Sequence, residues 1–120
     1  MVLVDTSVWV SHLRDGNTEL AILLNNGTVL CHPLIVGELA CGNLKDRAVI
    51  LSFLKLLPMC IEAEHEEVLS LIENNRIMGK GIGYVDAQLV ASSVLTGVPI
   101  WTLDKKLAQV ADSLHIKYKN

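Results

Sequence analysis

The amino-acid sequence predicts an α/β domain with a mostly parallel central sheet. Short apolar segments rich in β-branched residues alternate along the chain with longer segments in which apolar residues recur at helical spacing. This alternation is typical of parallel strands whose faces are covered by the helices that connect them. Because the chain has 120 residues, we expect a single domain over residues 1–120 that can bury a core without disulfides.

The predicted strands are short, apolar and bounded by turn residues. The chain begins with one of them, MVLV, and a later segment, VPIWTL, is the longest. Neither alternates between apolar and polar residues, which favours strands that are buried on both faces. The predicted strands cover residues 1–4, 28–31, 59–62, 98–103 and 115–119.

The predicted helices are separated by residues that favour helix ends. Asn25-Asn26-Gly27 and Thr96-Gly97 supply left-handed conformers that close a helix, and Pro58 stops the helix before it. Pro33 suits a first helical turn. Residues 86–95 are apolar on nearly all sides, so we expect a buried helix there. The predicted helices cover residues 6–13, 18–24, 33–42, 44–57, 65–78, 86–95 and 105–113.

The composition argues against membrane and secreted proteins. No run of 18 apolar residues is present, and MVLVD lacks the basic region of a signal peptide, so we expect a cytoplasmic protein. The cysteines, Cys31, Cys41 and Cys60, are odd in number and form no C-x-x-C pair, which favours reduced core residues over disulfides or zinc ligands. The apolar fraction of 51% suggests that some surface is buried against a partner, such as a second copy of the chain.

Four acidic residues interrupt segments that otherwise resemble core. They are Asp5 in VLVDTSVWV, Glu38 in PLIVGELACG, Asp86 in GIGYVDAQLVAS and Asp104 in IWTLDKKL. Strand-to-helix turns of a parallel sheet all lie at its carboxyl edge, where ligands bind, so we expect these side chains to share one cleft. The net charge is −3, and the remaining nine acidic residues nearly balance the ten basic ones, so the acidity of the chain is about that of the cluster.

Such a cluster requires a counter-charge. Two carboxylates about 4 Å apart repel by about 4 kcal/mol at an effective dielectric of about 20. Oxygen ligands without cysteine or a neighbouring histidine suit Mg²⁺ or Mn²⁺, which can activate water and neutralise a phosphate. Each acid also has a simpler interpretation. Asp5, Asp86 and Asp104 stand where a helix could be capped, and Glu38 could reach solvent or pair with Arg47 or a lysine.

The same four segments resemble the successive motifs of PIN-domain ribonucleases. VLVDTSVWV, IVGELACG, GIGYVDAQLVAS and IWTLDKKLAQVA are most similar to those of the VapC-type toxins of bacterial and archaeal toxin–antitoxin pairs. The resemblance runs from residue 1 to about residue 118, and the ordered set is more specific than any single motif. It implies a three-layer α/β/α sandwich and a metal-dependent endoribonuclease.

The resemblance also implies roles for individual residues. It gives metal-binding and catalytic roles to Asp5, Glu38, Asp86 and Asp104, and supporting hydroxyl roles to Thr6, Ser7 and Thr102. Mg²⁺ or Mn²⁺ would then promote in-line attack of water on phosphorus, leaving 3′-hydroxyl and 5′-phosphate ends. Family members commonly form homodimers and are inhibited by a cognate antitoxin.

Other residues are weaker candidates for contacts with RNA. Lys80 and Lys105 lie near the motifs and could bind phosphates, and residues 79–83 are expected to form a mobile Gly-rich rim. Tyr84 could stack on a base, whereas Trp9 and Trp101 are expected to pack in the core. The four histidines show no ligand spacing, and an acid–base pair of them is a minor alternative.

The sequence alone leaves two alternative functions open. A dehalogenase-type phosphatase would also place an Asp after the first strand, but it would need a second acid where this chain has Ser7. A non-catalytic PIN-like module would use its acids to bind a basic peptide, because an arginine and Mg²⁺ neutralise them alike. Turnover of RNA separates that module from a nuclease.

Overall fold

The central sheet has three parallel strands in the computed structural model, which describes residues 1–119. Their order is β2 (Val29–Leu30), β1 (Val2–Val4), β3 (Ile100–Trp101), with Val2 opposite Val29 and Leu3 opposite Ile100. All of these strand residues are buried, as the unbroken apolar runs predict. The predicted α/β class with a parallel sheet is confirmed. Asn120, the last residue of the predicted domain, lies outside the described residues.

The strands are shorter than predicted because nearby groups take their backbone donors. Predicted strand 98–103 shrinks to β3, since Val98 N–H bonds to Ser93 O and Leu103 N–H bonds to Ser7 Oγ. Predicted strand 59–62 is reduced to one parallel bridge between Met59 and Cys31, after which Ile61 N–H bonds to Thr96 Oγ1.

The predicted last strand, 115–119, is also a single parallel bridge, between Lys117 and Ile100. Ile100 N–H donates to Ile116 O at 2.8 Å, and Tyr118 N–H donates to Ile100 O at 2.9 Å. The two bridges extend the sheet by one residue pair on each side, so the candidate site lies at its middle strands.

The helices follow the predicted order, with shifted ends. They are α1 (Thr6–Asp15), α2 (Thr18–Asn25), α3 (Pro33–Ala40), α4 (Arg47–Leu56), α5 (His65–Asn75), α6 (Tyr84–Thr96) and α7 (Lys105–Ser113). The predicted helix 65–78 ends early because Arg76 adopts the left-handed conformation, with φ of 52°. Helix α6 begins two residues before Asp86, which therefore lies inside its first turn rather than at its cap.

The core lies around β1. Trp9 and Trp101 are buried there, which confirms their predicted packing role. Cys31 and Cys60 are buried as predicted, but the same expectation for Cys41 is wrong, because Cys41 is the exposed residue that ends α3. The prediction of a fully buried 86–95 helix is also wrong at its last turn, where Val94 and Leu95 are exposed. Within residues 1–119, no helix combines the length and apolar character needed to cross a bilayer.

Candidate active site

Asp5 follows β1 directly and caps the N-terminus of α1. Its side chain is 5% exposed, and its backbone N–H donates to Trp101 O at 2.9 Å. Asp5 Oδ2 accepts hydrogen bonds from Ser7 Oγ and Thr102 Oγ1, both at 2.7 Å, and a longer one from Ser7 N–H at 3.4 Å. The interpretation of Asp5 as a helix cap is therefore correct, and it coexists with a position at the carboxyl edge of the sheet.

Ser7 and Thr102 join the ends of the neighbouring strands β1 and β3. Their hydroxyl oxygens lie 3.2 Å apart. Ser7 Oγ also accepts from Leu103 N–H at 3.0 Å, and Thr102 Oγ1 accepts from Asp104 N–H at 3.0 Å. The two hydroxyls thus tie the Asp5 carboxylate to the segment that carries Asp104.

Asp104 caps α7, as the simpler interpretation of this residue predicts. Its Oδ1 accepts from Lys106 N–H at 2.9 Å and from Leu107 N–H at 3.0 Å. Both bonds go to the same oxygen, and the side chain is otherwise exposed. Helix capping and a role in the cleft are therefore compatible, because capping engages one carboxylate oxygen.

Glu38 is exposed on α3 and contacts the first turn of α1. Thr6 Oγ1 donates to Glu38 Oε1 at 2.6 Å. The alternative pairing with Arg47 is wrong, because the Arg47 guanidinium donates to the carbonyl oxygens of Ala40 and Gly42 instead. Those contacts brace the end of α3 and leave Glu38 facing Thr6.

The pKa of the Asp86 carboxyl depends on burial and on the charges of the other three acids. The pKa of this half-buried carboxyl is raised from 3.8 to about 6, mainly by burial and then by the negative charges of Asp5, Asp104 and Glu38, in that order. Because interactions of this kind weaken with distance, Asp86 is near enough to the other three acids for their charges to affect its protonation.

The residues of the cleft fit a hard divalent cation. Among residues 1–119, no three acidic, histidine or cysteine side chains are grouped closely enough to hold a metal ion, so the fit lies in the chemistry of the donors and not in their spacing. Among the described residues, no lysine or arginine nitrogen lies within 4 Å of a carboxylate oxygen of the four acids, whereas Arg14 and Asp15 do form such a pair. Unneutralised carboxylates with hydroxyl neighbours are a donor set that suits Mg²⁺ or Mn²⁺.

The basic candidates lie in two different cavities. Lys80 lines one together with Lys106 and Arg76, whereas Lys105 lines another together with Lys117 and Asp112. Lys80 and Lys105 were the residues predicted from the sequence to contact RNA phosphates. Arg76 was not predicted, and Lys105 was preferred to Lys106. The helical spacing of Lys106, Gln109 and Ser113 is the signal that could have identified one face of α7.

Tyr84 and the histidines have local partners. Tyr84 is 45% exposed, and its hydroxyl lies 2.8 Å from His65 Nδ1. His32 is buried, with Nδ1 accepting from Leu34 N–H and Nε2 lying 3.0 Å from Ser92 Oγ. Burial also lowers the pKa of His32. His12 Nδ1 accepts from Asn17 N–H at 3.0 Å, so three of the four histidines are engaged in local contacts, which disfavours the acid–base pair.

The fold and the four-acid cleft define a class of protein. The family profile described as PIN domain matches residues 2–113 of the chain. The chain therefore belongs to the PIN-domain family.

Comparison with individual proteins gives a narrower relationship. The chain is 45% identical over 108 residues to ribonuclease VapC32 of Mycobacterium tuberculosis, in strains CDC 1551 and H37Rv, across 89% of this chain and 87% of that protein. The predicted relationship to the VapC-type ribonucleases of toxin–antitoxin pairs is confirmed. The relationship also favours a nuclease over a dehalogenase-type phosphatase.

The crystal structure of FitAcB from Neisseria gonorrhoeae has the same fold. It covers 93% of this chain and 94% of its own, with a TM-score of 0.66 and 22% identity. The predicted three-layer, PIN-like α/β/α sandwich is confirmed by this likeness, which bears on the fold alone.

Proposed function

We propose that this protein is a divalent-metal-dependent endoribonuclease that acts as the toxin of a toxin–antitoxin pair. The observation that carries the proposal is the convergence of acids from separate elements. Thr102 ties Asp5 to the segment of Asp104, and Glu38 contacts the first turn of α1 through Thr6. The pKa of Asp86, which is raised by burial and by the charges of the other three acids, supports the same arrangement. The related VapC32 is named as a ribonuclease, which supports RNA as the substrate. A cytoplasmic location, where RNA is accessible, stays a prediction.

Asp5, Asp86, Asp104 and Glu38 would hold Mg²⁺ or Mn²⁺. When bound, the ion would polarise water and neutralise the charge that develops on the phosphate. Thr102 and Ser7 donate to one oxygen of Asp5, which fixes the orientation of the carboxylate toward the cleft.

Thr6 and the α7 cap orient the other two acids. Thr6 holds one oxygen of Glu38, and the cap holds one oxygen of Asp104. Each of these carboxylates keeps its second oxygen for a cation or a substrate water. In-line attack of water on phosphorus would displace the 3′ oxygen as the leaving group. The products would then carry 3′-hydroxyl and 5′-phosphate ends.

An exposed apolar stripe supports a protein partner. Val49, Phe53 and Leu56 recur at helical spacing on α4, and they are 69%, 44% and 85% exposed. An apolar stripe of this kind is typical of an interaction surface. A cognate antitoxin and a second copy of the chain are the proposed partners, and the homodimer stays a prediction.

Cleavage of RNA by the purified protein tests the proposal. We expect cleavage of a structured RNA with Mg²⁺ or Mn²⁺, its loss in EDTA, and its return when the metal is restored. Glu38→Gln should be inactive under the same conditions, whereas Glu73→Gln, an exposed acid on α5, should behave as wild type. Cleavage that survives EDTA contradicts the metal mechanism. Binding of partners without cleavage of any RNA favours the non-catalytic module.

A further inference from the structure

A basic cavity opens beside the candidate active site. It has a volume of about 150 Å³ and lies between the end of α5, the loop that follows and one face of α7. Its positively charged residues are Arg76, Lys80 and Lys106, and Gln109 and Ser113 add an amide and a hydroxyl. Three cations and neutral hydrogen-bonding groups thus surround one small volume.

No carboxylate neutralises these cations. None of the residues that line the cavity is acidic, and within the described chain none of the three cations lies within 4 Å of a carboxylate oxygen. The neighbouring cavity, with Lys105 and Lys117, differs in containing Asp112. Uncompensated positive charge in a concave site attracts anions, and the guanidinium and ammonium groups suit a phosphate.

The cavity and the candidate active site share the first turn of α7. Lys106 N–H donates to Asp104 Oδ1, so the helical turn that caps one site supplies a cation to the other. Lys106, Gln109 and Ser113 follow one face of α7, over about 10 Å at 1.5 Å per residue. A strand of RNA with one phosphate at the acids would therefore have a later or earlier phosphate within reach of the basic cavity.

Gly81 allows Lys106 to take its position. This glycine has φ of +84°, and a Cβ atom there would lie 2.6 Å from Lys106 Cδ and 3.2 Å from Lys106 Nζ. The lysine side chain thus lies against bare backbone of the Gly-rich loop. Gly79 also has a positive φ, of +73°, but a Cβ atom there would meet nothing within 4 Å.

We propose that Arg76, Lys80 and Lys106 form a binding site for a backbone phosphate of the RNA, separate from the phosphate that is cleaved. The inference rests on the proposed function. The favourable interaction of a cation with the C-terminal end of a helix explains Arg76 at the end of α5. It does not explain why Lys80, from a loop, and Lys106, from α7, line the same cavity. An acidic peptide from a protein partner is the other possible occupant.

The first experiment measures affinity rather than cleavage. A short labelled single-stranded RNA is titrated by fluorescence anisotropy, with Ca²⁺ in place of Mg²⁺ to keep it intact, over a series of salt concentrations. We expect the double variant Lys80→Gln/Lys106→Gln to weaken RNA binding about tenfold. The slope of log affinity against log salt concentration should fall by about 0.7 for each phosphate that is no longer neutralised. The control Lys45→Gln/Lys55→Gln removes two exposed lysines and should leave affinity within about twofold.

Three outcomes would overturn the inference. These are unchanged RNA affinity, equal weakening in both double variants, and weakened binding of a synthetic acidic peptide without weakened binding of RNA. Because the readout is affinity, a wild-type protein that binds RNA but never cleaves it contradicts the proposed function and not this site.

A pair of glycine variants tests the same site without removing charge. Gly81→Ala and Gly79→Ala both place a side chain at a left-handed position, so we expect similar losses of thermal stability. Only Gly81→Ala displaces Lys106, and it should weaken RNA binding several-fold more than Gly79→Ala. Equal affinities of the two variants would show that the position of Lys106 does not matter, contrary to the inference.

Discussion

Thr102 Oγ1 donates to Asp5 Oδ2 at 2.7 Å, although 97 positions of the chain separate the two residues. The bond connects the end of β3 to the end of β1, the central strand of the sheet. Ser7 donates to the same oxygen from the first turn of α1. The Asp5 carboxylate is thus fixed by two hydroxyls before any ligand binds.

Loss of the Thr102 hydroxyl should reduce activity without unfolding the protein. We expect Thr102→Val to lower kcat/KM for RNA about 10–100-fold and to raise the Mg²⁺ concentration needed for half-maximal rate, because Asp5 loses an orienting donor. Thr102→Ser keeps the hydroxyl and should recover most of the activity. A Thr102→Val enzyme with wild-type rates and metal dependence would show that this bond serves the fold alone.

Asp5 variants should separate capping from catalysis. Asparagine caps helices about as well as aspartate, so we expect Asp5→Asn to change the free energy of unfolding by less than about 1 kcal/mol while abolishing cleavage. Relief of repulsion among the acids would make this variant as stable as the wild type or more stable. Asp5→Ala should cost about 1–3 kcal/mol, because it removes the cap and the acceptor for both hydroxyls. Urea unfolding and a cleavage assay check both variants, and marked unfolding of Asp5→Asn would contradict the expectation.

Asp86 should make the metal-free protein less stable as pH rises. Its pKa is about 6 in the folded protein, against 3.8 ordinarily, so the folded state holds the proton more tightly. The free energy of unfolding should therefore fall between about pH 4 and pH 6 and level off above, as protons leave the folded state. For a half-buried group we expect about 1 kcal/mol after solvent screening.

The variant Asp86→Asn should remove this part of the pH dependence. Urea unfolding of metal-free wild-type and variant proteins, below and above this pH window, measures the difference between them. Asp112→Asn, an exposed acid outside the cleft, is the matched control and should follow the wild type. Parallel curves for wild type and Asp86→Asn would contradict the raised pKa.

Ser92 should be important for stability rather than for activity. Its buried hydroxyl lies 3.0 Å from His32 Nε2, accepts from Ala63 N–H at 3.3 Å and donates to Gln88 Oε1 at 3.3 Å. We expect Ser92→Ala to cost about 1–3 kcal/mol, because buried donors are left unsatisfied. Thermal unfolding checks this, with the exposed Ser70→Ala as a near-neutral control. A Ser92→Ala protein as stable as the control would show that water replaces the hydroxyl.

The spacing of apolar residues along the sequence predicted the helices well, because helical periodicity was strong there. The seven helices within residues 1–119 were predicted in order, because their ends carry capping and turn residues. Strand lengths were overestimated, since an apolar segment does not reveal which neighbour takes its backbone N–H groups. Ile61 and Leu103 illustrate this, because each donates to a side-chain hydroxyl.

The four acids could be proposed from the sequence because each is anomalous in its own segment. The resemblance also named the hydroxyls that support them, but not which acid each hydroxyl holds. Nothing near Glu38 indicates that Thr6 holds it, and nothing near Lys80 indicates that Lys106 rather than Lys105 shares its cavity. These contacts depend on which way each side chain leaves its helix, and packing determines that direction.

The sequence by itself determined the α/β class and the placement of Asp5 and Asp104 after strands, because apolar runs form buried strands and their turns meet at one edge of a parallel sheet. The tertiary structure alone decided which hydroxyl holds which carboxylate and which cations share a cavity. Those relationships join residues tens of positions apart, so they arise from the packing of whole elements and not from the preferences of any one segment.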